Sequence, residues 1–360
     1  MWYTLSGNGK WHVGQNGVSM NLEFLMEFVP ELQDLFIKRY EILKFISKNE
    51  RAGRRTIAQG MNISERVVRD EIEKLKAQNF ISVSSSGMRI EEKGKRFLNE
   101  LSSFYREINS QRSLGIEIEK LLGVKKVFVV ESGIEHSETV KNLGAQAASI
   151  FETIISEGDL IGVTGGETIY CVSESITSKV DRLDVTVIPA RGSVGSQARF
   201  QANTIASRIA NKLNAKLQLL PIPETVSKQA MEIFLSDSEM REAYEMLKSL
   251  DVLLFGIGRA DVMLARRGIN EEKSSEVLNC GAVSEAFGNY FNLKGERVYS
   301  QESVGISLDK FLSIPKIIGV AGGVEKAQAI ISISTLRPDM VLVIDESAAH
   351  EIIKEVNYGS

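Results

Sequence analysis

From residue 125 onward, short apolar runs alternate with segments in which apolar residues recur every three to four positions. The runs are KVFVV (126–130), DLIGV (159–163), DVTVI (184–188), KLQLL (216–220), DVLLFGIG (251–258), KIIGVAGG (316–323) and MVLVI (340–344). Runs this short and this continuously apolar suit strands buried on both faces, and the helical period between them supplies the crossovers. The pattern therefore predicts βαβ units and an α/β, doubly wound, mostly parallel sheet with helices on both faces.

The first third of the chain has a different pattern. Residues 1–19 are rich in Gly and Asn, show neither period, and are read as a flexible segment without assigned function. Between residues 20 and 47 apolar positions recur at helical spacing, and Pro30 predicts a break between two helices. Next, Thr56-Ile57-Ala58-Gln59 reads as a capping box with Thr56 as the cap, and Met61-Asn62-Ile63 as a turn. Ser64 caps a following helix, ERVVRDEIEKLKAQ, whose Val68, Ile72 and Leu75 form one stripe while Arg66, Arg69 and Asp70 lie on another face. Residues 80–90 alternate as two short strands around a Ser/Gly turn, which adds a wing. Residues 91–122 are polar and helical in period and read as a linker helix. The predicted organisation is a flexible segment (1–19), a winged helix-turn-helix domain (20–90), a linker helix (91–122) and an α/β effector domain (123–360).

Composition sharpens this picture in a few places. A chain of 360 residues with 43% hydrophobic and 25% charged residues has room for two ordinary globular domains. No apolar run reaches the roughly 18 residues that span a bilayer, and the N-terminus lacks a signal-peptide plan, so a cytoplasmic protein with no membrane partner is expected. Cys171 and Cys280 read as small core residues rather than a disulfide, and His12, His136 and His350 lie away from them, so no metal site is expected. Charge is divided unevenly. Residues 38–100 hold 15 Lys and Arg against 9 Asp and Glu, net +6, which leaves −10 for the rest of a chain whose total is −4. A basic module joined to an acidic domain suggests a polyanionic partner for the first.

For that module the chemistry is double-stranded DNA. Arg66 and Arg69, three apart on the face opposite the apolar stripe, can reach base edges and phosphates in a major groove, and Arg51, Arg54 and Arg55, ahead of the first helix of the motif, can neutralise phosphates. The competing reading is a solvated helix surface in a protein–protein module. In the second domain, glycines mark three strand ends: Thr164-Gly165-Gly166-Glu167-Thr168, Arg191-Gly192-Ser193, and Ala321-Gly322-Gly323 followed by Lys326. Ligands of open α/β sheets bind beyond strand carboxyl ends, and one amide cradle with two cations suits a small phosphorylated molecule. Each turn taken singly is equally explained by the positive φ that glycine allows. Glu285, in GAVSEAFGNYFN, can accept hydrogen bonds from sugar hydroxyls, or it can be satisfied by Arg266 or Arg267. No nucleophile–histidine pair and no Gly-x-Gly-x-x-Gly opens the first βαβ unit, so the sequence offers no catalytic residues, dinucleotide site or other cofactor site.

Several segments together, RYEILKFISKNERAGRRTIAQGMNISERVVRDEIEKLKAQNF, TGGET, PARGSVGSQARFQANTIASRIA, GIGRADVMLARR, GAVSEAFGNYFN and GVAGGVEKAQAI, resemble the SorC/DeoR-type sugar-sensing bacterial regulators over roughly residues 35–350. The resemblance implies a winged-helix DNA-binding domain and an effector domain akin to sugar-phosphate isomerases and deaminases. It further implies a homodimer or homotetramer that represses glycolytic genes and responds to fructose-1,6-bisphosphate or a related sugar phosphate. It maps effector contacts onto Gly166, Thr168, Arg191, Arg266, Glu285 and Lys326. This chain departs from the family pattern at Glu167, where Ser or Thr usually follows the glycine, and at Ser193, where the family has a second glycine. Loss of a hydroxyl donor costs about 0.5–3 kcal/mol, and a carboxylate ~4 Å from a phosphate adds repulsion of roughly 1–4 kcal/mol.

Three functions remain open on the sequence: a repressor gated by a phosphorylated sugar, a sugar-phosphate isomerase or deaminase with an appended regulatory module, and a scaffolding protein whose winged helix contacts protein.

Overall fold

Residues that lack any period can still pair as strands, and three short stretches near the N-terminus do. In the computed structural model, which describes residues 3–5, 10–13, 19–21, 29, 31–49, 51–61, 63–84, 87–177, 184–193 and 197–358, strands β1 (Tyr3–Leu5), β2 (Lys10–Val13) and β3 (Ser19–Asn21) form an antiparallel meander. The helix expected before Pro30, and the break at Pro30 itself, fall on residues outside the described set. The chain divides into two units, residues 1–110 and 111–360.

In the first unit, α1 (Glu31–Lys48), α2 (Arg54–Met61) and α3 (Glu65–Ala77) precede a hairpin of β4 (Ile81–Ser84) and β5 (Gly87–Ile90). Ile42, Ile46, Ile57, Val68, Ile72 and Leu75 are buried together, with Ile81 and Met88 from the hairpin closing the cluster. The stripe Val68, Ile72, Leu75 thus sets which face of α3 turns inward and which stays in solvent. Ser64 caps α3, its hydroxyl accepting from the Val67 amide at 3.3 Å. The proposed cap at Thr56 is corrected: α2 starts at Arg54, the Ile57 amide donates to the Gly53 carbonyl at 3.1 Å, and Thr56 sits inside the first turn. Arg54 and Arg55 accordingly belong to α2 rather than to a segment before it. The expected single polar helix over 91–122 is two helices, α4 (Glu92–Glu100) and α5 (Ser102–Leu122), broken at Leu101. Its first part is less polar in effect than in composition, because Phe97, Leu101, Phe104 and Tyr105 pack with Phe36, Ile37 and Tyr40 of α1, and the Tyr40 and Tyr105 rings stack at 4.0 Å.

The second unit is built on seven parallel strands: β6 (Lys126–Val130), β7 (Leu160–Val163), β8 (Thr186–Pro189), β9 (Lys216–Leu217), β10 (Val252–Gly256), then, after four short strands described below, β15 (Lys316–Val320) and β16 (Val341–Asp345). Their order is β6-β16-β15-β10-β7-β8-β9. Successive residues of β10 face opposite cores, Val252 and Leu254 one way and Leu253 and Phe255 the other, all buried, which is why the run carries no polar alternation. One face is covered by α6 (His136–Ile154), α7 (Glu167–Ser175) and α8 (Ala202–Leu213). The other is covered by the end of α5, by α9 (Lys228–Ser236) and α10 (Ser238–Met246), and by two helices near the C-terminus described with the cleft. The 216–220 run pairs only over Lys216–Leu217, an edge strand two residues long. Cys280 is exposed and Cys171 only half-buried, so the expectation that both are core residues is corrected.

Periodicity did not reveal a second sheet, antiparallel, of β11 (Gly258–Arg259), β12 (Ser284–Ala286), β13 (Asn289–Phe291) and β14 (Arg297–Ser300). Between β11 and β12 lie α11 (Ala260–Arg266) and α12 (Glu271–Asn279). The β12–β13 turn has two central residues, Phe287 (φ 50°) and Gly288 (φ 81°), both left-handed as a tight hairpin requires. Phe287 tolerates this unfavourable conformation while its ring is buried 5.4 Å from Phe311 of α13 (Leu308–Ser313).

Candidate functional site

Strand order reverses at β7: β8 and β9 follow on one side of it, β10, β15 and β16 on the other. Loops leaving β7 and β10 diverge there and open a crevice at their carboxyl ends, the usual ligand position in such a sheet. A cleft of about 490 Å³ occupies it. All nine residues singled out from sequence as effector contacts, Thr164, Gly165, Gly166, Glu167, Thr168, Arg191, Arg266, Glu285 and Lys326, line this one cleft.

The floor is a backbone loop. Buried Thr164 ties the two diverging strands, its amide donating to the Leu254 carbonyl at 3.1 Å and its hydroxyl oxygen accepting from the Gly256 amide at 3.2 Å. Gly165 is required by proximity, since a Cβ there would lie 2.6 Å from the Phe200 carbonyl oxygen; Gly166 is required by conformation, at φ 116°. The Thr164 and Gly166 amides are engaged by the Leu254 and Phe200 carbonyls, at 3.1 and 2.9 Å, so the N–H groups the helix start leaves free for an anion are those of the first turn of α7.

One wall is a buried ionic cluster. Arg267, 1% exposed, donates to both Glu224 oxygens (2.7 and 3.3 Å), to Glu285 (2.7 Å) and to the Tyr290 hydroxyl (2.9 Å). Arg191 reaches the same carboxylates, Glu224 at 3.0 Å and Glu285 at 3.8 Å. Glu285 also accepts from the Gly288 amide at 2.7 Å, so the β12–β13 turn holds it in place. Its partners are thus Arg267 and Arg191, and Arg266 is not one of them. Two arginines and two glutamates make the cluster neutral. Burial opposes the charge on Arg267, but Glu285 and Glu224 outweigh it and raise the guanidinium above its ordinary range. Burial, with the two carboxylates adding to it, pushes the Tyr290 phenol up to about 12. Glu224 carried no motif; it sits here because Gly192 lets the Ile222–Glu224 backbone approach where a Cβ would meet it at 2.6–2.7 Å.

The opposite wall is cationic. Lys326 precedes α14 (Ala327–Leu336), which follows β15, and its ammonium donates to the Ile257 carbonyl at 2.8 Å. Burial and then repulsion from Arg266 pull its pKa down to about 8, with Glu325 and Asp261 only partly offsetting them. Among the described residues neither Arg266 nor Lys326 has a carboxylate within ion-pair distance. Two such cations lining one cleft favour an anion there. Asp345, buried at the end of β16 just before α15 (Glu346–Tyr358), shapes this wall. It accepts from Ser132 (2.7 Å), Ser347 (2.6 Å) and the amides of Gly323 (2.9 Å) and Ala348 (3.2 Å). Burial raises its pKa, but those hydrogen bonds outweigh burial and leave the carboxyl below its ordinary range. A carboxylate closing the apolar run MVLVI at a strand end was the missed signal for this residue. Glu167 lies at the mouth, its side chain 49% exposed and 3.5 Å from His136.

In the first unit, of the residues assigned to DNA contact, Arg51 precedes α2, Arg54 and Arg55 open it, Ser64, also a DNA-contact candidate from its place at the start of the reading helix, lies in the turn, and Arg66 and Arg69 are on α3. Arg54 is 3.9 Å from Glu73, Arg55 3.3 Å from Glu65, and Arg69 4.0 Å from Asp70, all exposed pairs worth little in water. Arg66 is exposed, and Ser64 is engaged as the α3 cap.

A family model for a sugar-binding domain matches residues 106–354, and one for the CggR N-terminal DNA-binding domain matches residues 35–105. The chain belongs to the SorC family of transcriptional regulators. Within it, the chain is 34% identical to the central glycolytic genes regulator of Priestia megaterium (93% of this chain, 99% of that one). It is equally similar to the protein of that name from Bacillus subtilis, at 34% over 91% and 97%. The crystal structure of a SorC family transcriptional regulator from Enterococcus faecalis superposes with a TM-score of 0.63, at 28% identity, over 67% of this chain and 99% of that one. Membership gives this SorC-family chain a DNA-binding domain followed by a sugar-binding α/β domain.

Proposed function

We propose that this chain is a repressor of central glycolytic genes, released from or fixed on its operator by a phosphorylated sugar bound in the cleft. The observation that carries the effector half is the pair Arg266 and Lys326, unpaired beside a glycine loop at the point where strand order reverses. A phosphate there would relieve their mutual repulsion and the burial cost of Lys326 together. The neutral cluster opposite, with Glu285 held at the wall, offers hydrogen-bond acceptors and donors to sugar hydroxyls. Effector binding alters operator affinity only if the two DNA-binding states differ in affinity for the sugar. Operator DNA and the sugar phosphate are the partners, a homodimer or homotetramer the acting species, and the cytoplasm its place; among the described residues no helix is long and apolar enough to cross a membrane.

An isomerase or deaminase needs a base and an acid positioned over the sugar, for which the candidates here are Glu285 and Lys326. Glu285 is instead engaged by Arg267, Arg191 and the Gly288 amide, which favours binding over turnover.

The DNA half is tested by Arg66→Ala/Arg69→Ala. Loss of two phosphate or base contacts should weaken operator binding at least tenfold and flatten the slope of log affinity against log salt by about 2. Unchanged affinity and slope would remove α3 as the reading helix.

A further inference from the structure

We propose that the outer edge of β9 is a seam at which two copies of this chain pair, strand against strand, about a two-fold axis. This rests on the homo-oligomer reading above and names the surface that makes it. The parallel sheet has two edges, and they are finished differently. At β6 the outward amide of Val127 donates to the Glu119 carboxylate of α5 at 3.0 Å, and Gly115 brings that helix so near that a Cβ would stand 2.8 Å from the Val127 carbonyl oxygen. A helix seals that side. At the other end of the order, no strand follows β9 among the described residues. Along 216–220 alternate residues are held inward. The Lys216 and Gln218 amides donate to the Val185 and Val187 carbonyls, both at 3.0 Å. Asn203 of α8 continues the ladder where β8 stops, accepting from the Leu220 amide at 3.0 Å and donating to the Leu220 carbonyl at 2.9 Å. Leu217 and Leu219 therefore turn their amides and carbonyls to the open edge.

The two leucines share one face and are 38% and 43% exposed. The Gln218 side chain covers the Leu219 carbonyl at 3.2 Å, from an exposed position that another strand would displace. A bare edge held straight from behind and carrying apolar side chains is a template for another strand. The chain's own copy fits it. In an antiparallel pair centred on Gln218, Leu217 stands opposite Leu219 of the second copy and Leu219 opposite its Leu217. Both are pairs of the kind that exchange two backbone bonds, so four bonds form and four leucines meet on one face. Lys216 is already paired with Asp184 at 2.8 Å and stands opposite Leu220, so no like charges oppose. Pro221 ends the run on the other side and confines pairing to this segment. An isologous contact of this sort closes at two copies and leaves no open edge for a third.

The test is sedimentation equilibrium of the full chain and of Leu217→Lys/Leu219→Lys, which gathers four ammonium groups at the seam but leaves them in solvent in a single copy. Wild type should sediment as a dimer or a multiple of one. The lysine variant, folded by circular dichroism, should have its mass halved, with the dissociation constant raised at least tenfold. A second probe is Gln218→Cys on a Cys280→Ser background. It should link two chains through a disulfide under mild oxidation, since residues at the centre of such a pair have Cα atoms ~4.5 Å apart, within disulfide reach. If the lysine variant does not fold, the cross-link decides alone. An oligomer unchanged by the lysine pair, or no linked dimer from Gln218→Cys, leaves this edge to a strand of another protein or to none; it overturns the seam and leaves the homo-oligomer reading standing. Wild type that sediments as a folded monomer overturns both.

Discussion

Replacing Arg267 by Met removes the centre of the buried cluster while filling much of its volume. The guanidinium makes four hydrogen bonds, two to Glu224 and one each to Glu285 and Tyr290, and its side chain and those of both carboxylates are 1–2% exposed. Its loss leaves two buried carboxylates with Arg191 alone between them, so the site changes from neutral to one uncompensated negative charge. Breaking a buried pair in this way costs about 3–5 kcal/mol. For a unit of this size each kcal/mol moves the midpoint by ~2–4 °C, so the transition of the effector domain should fall by roughly 6–20 °C. Differential scanning calorimetry of the full chain reads it. A second variant distinguishes charge from packing: Arg267→Met combined with Glu224→Gln restores neutrality, with Arg191 opposite Glu285, and should recover at least half of the loss. A fall of under 1 kcal/mol in the single variant, or a double variant no more stable than the single, would refute the view that charge balance holds this wall.

Lys326 makes a prediction in pH. Its folded pKa, about 8, lies below the ordinary 10.5, so the unfolded chain binds the extra proton between those values and stability should rise with pH across that window. The charged form below pH 8 is disfavoured by about 3 kcal/mol; Lys326→Met should therefore be more stable at pH 7 and lose the alkaline rise, which denaturant titration at pH 7 and pH 10 would detect. A phosphate ligand that restores the charge should take up protons at pH 8.5, seen as a binding enthalpy that changes with the ionisation heat of the buffer. Asp345 has the opposite sign: its folded pKa is depressed, so its contribution is present above the ordinary carboxylate pKa and lost as pH falls through the folded value. Asp345→Ala, which removes the acceptor of the Ser132 and Ser347 hydroxyls and of the Gly323 amide, should cost about 1.5–3 kcal/mol at pH 7 and, by freeing the Gly323 amide, weaken phosphate-sugar binding measured by titration; unchanged stability and affinity would rule out its role in shaping that wall.

Much of the architecture was readable in advance because it follows from period. Continuous apolar runs such as VLLF mark strands buried on both faces, and Val68, Ile72 and Leu75 mark the inward side of α3. Seven of the nine cleft residues, Thr164 to Thr168, Arg191 and Lys326, were readable for a related reason: glycines and cations at strand ends gather wherever parallel strands end together; Glu285 came from its apolar setting and Arg266 from the family resemblance. The antiparallel sheet around Glu285 was not, since its strands are two to four residues long and its turn uses Phe287 in place of the Asn or Gly that announces a hairpin. Glu224 was invisible because its importance comes from three-dimensional proximity to residues 33 and 43 positions away. Thr56 misled for a different reason: a hydroxyl three before Gln59 fits a cap, yet Gly53, without a side chain, takes the cap position three residues earlier than that pattern places it.

The ionic wall also bears on how this sequence can vary over descent. Arg191, Glu224, Arg267 and Glu285 come from four separate stretches of the chain yet keep one electrical account between them. A lineage that loses any one of them passes through a weakened ancestor unless a partner changes with it. These four positions are therefore expected to change together, and new sugar preferences to arise more readily at the mouth, at Glu167 and His136, whose side chains are 49% and 66% exposed.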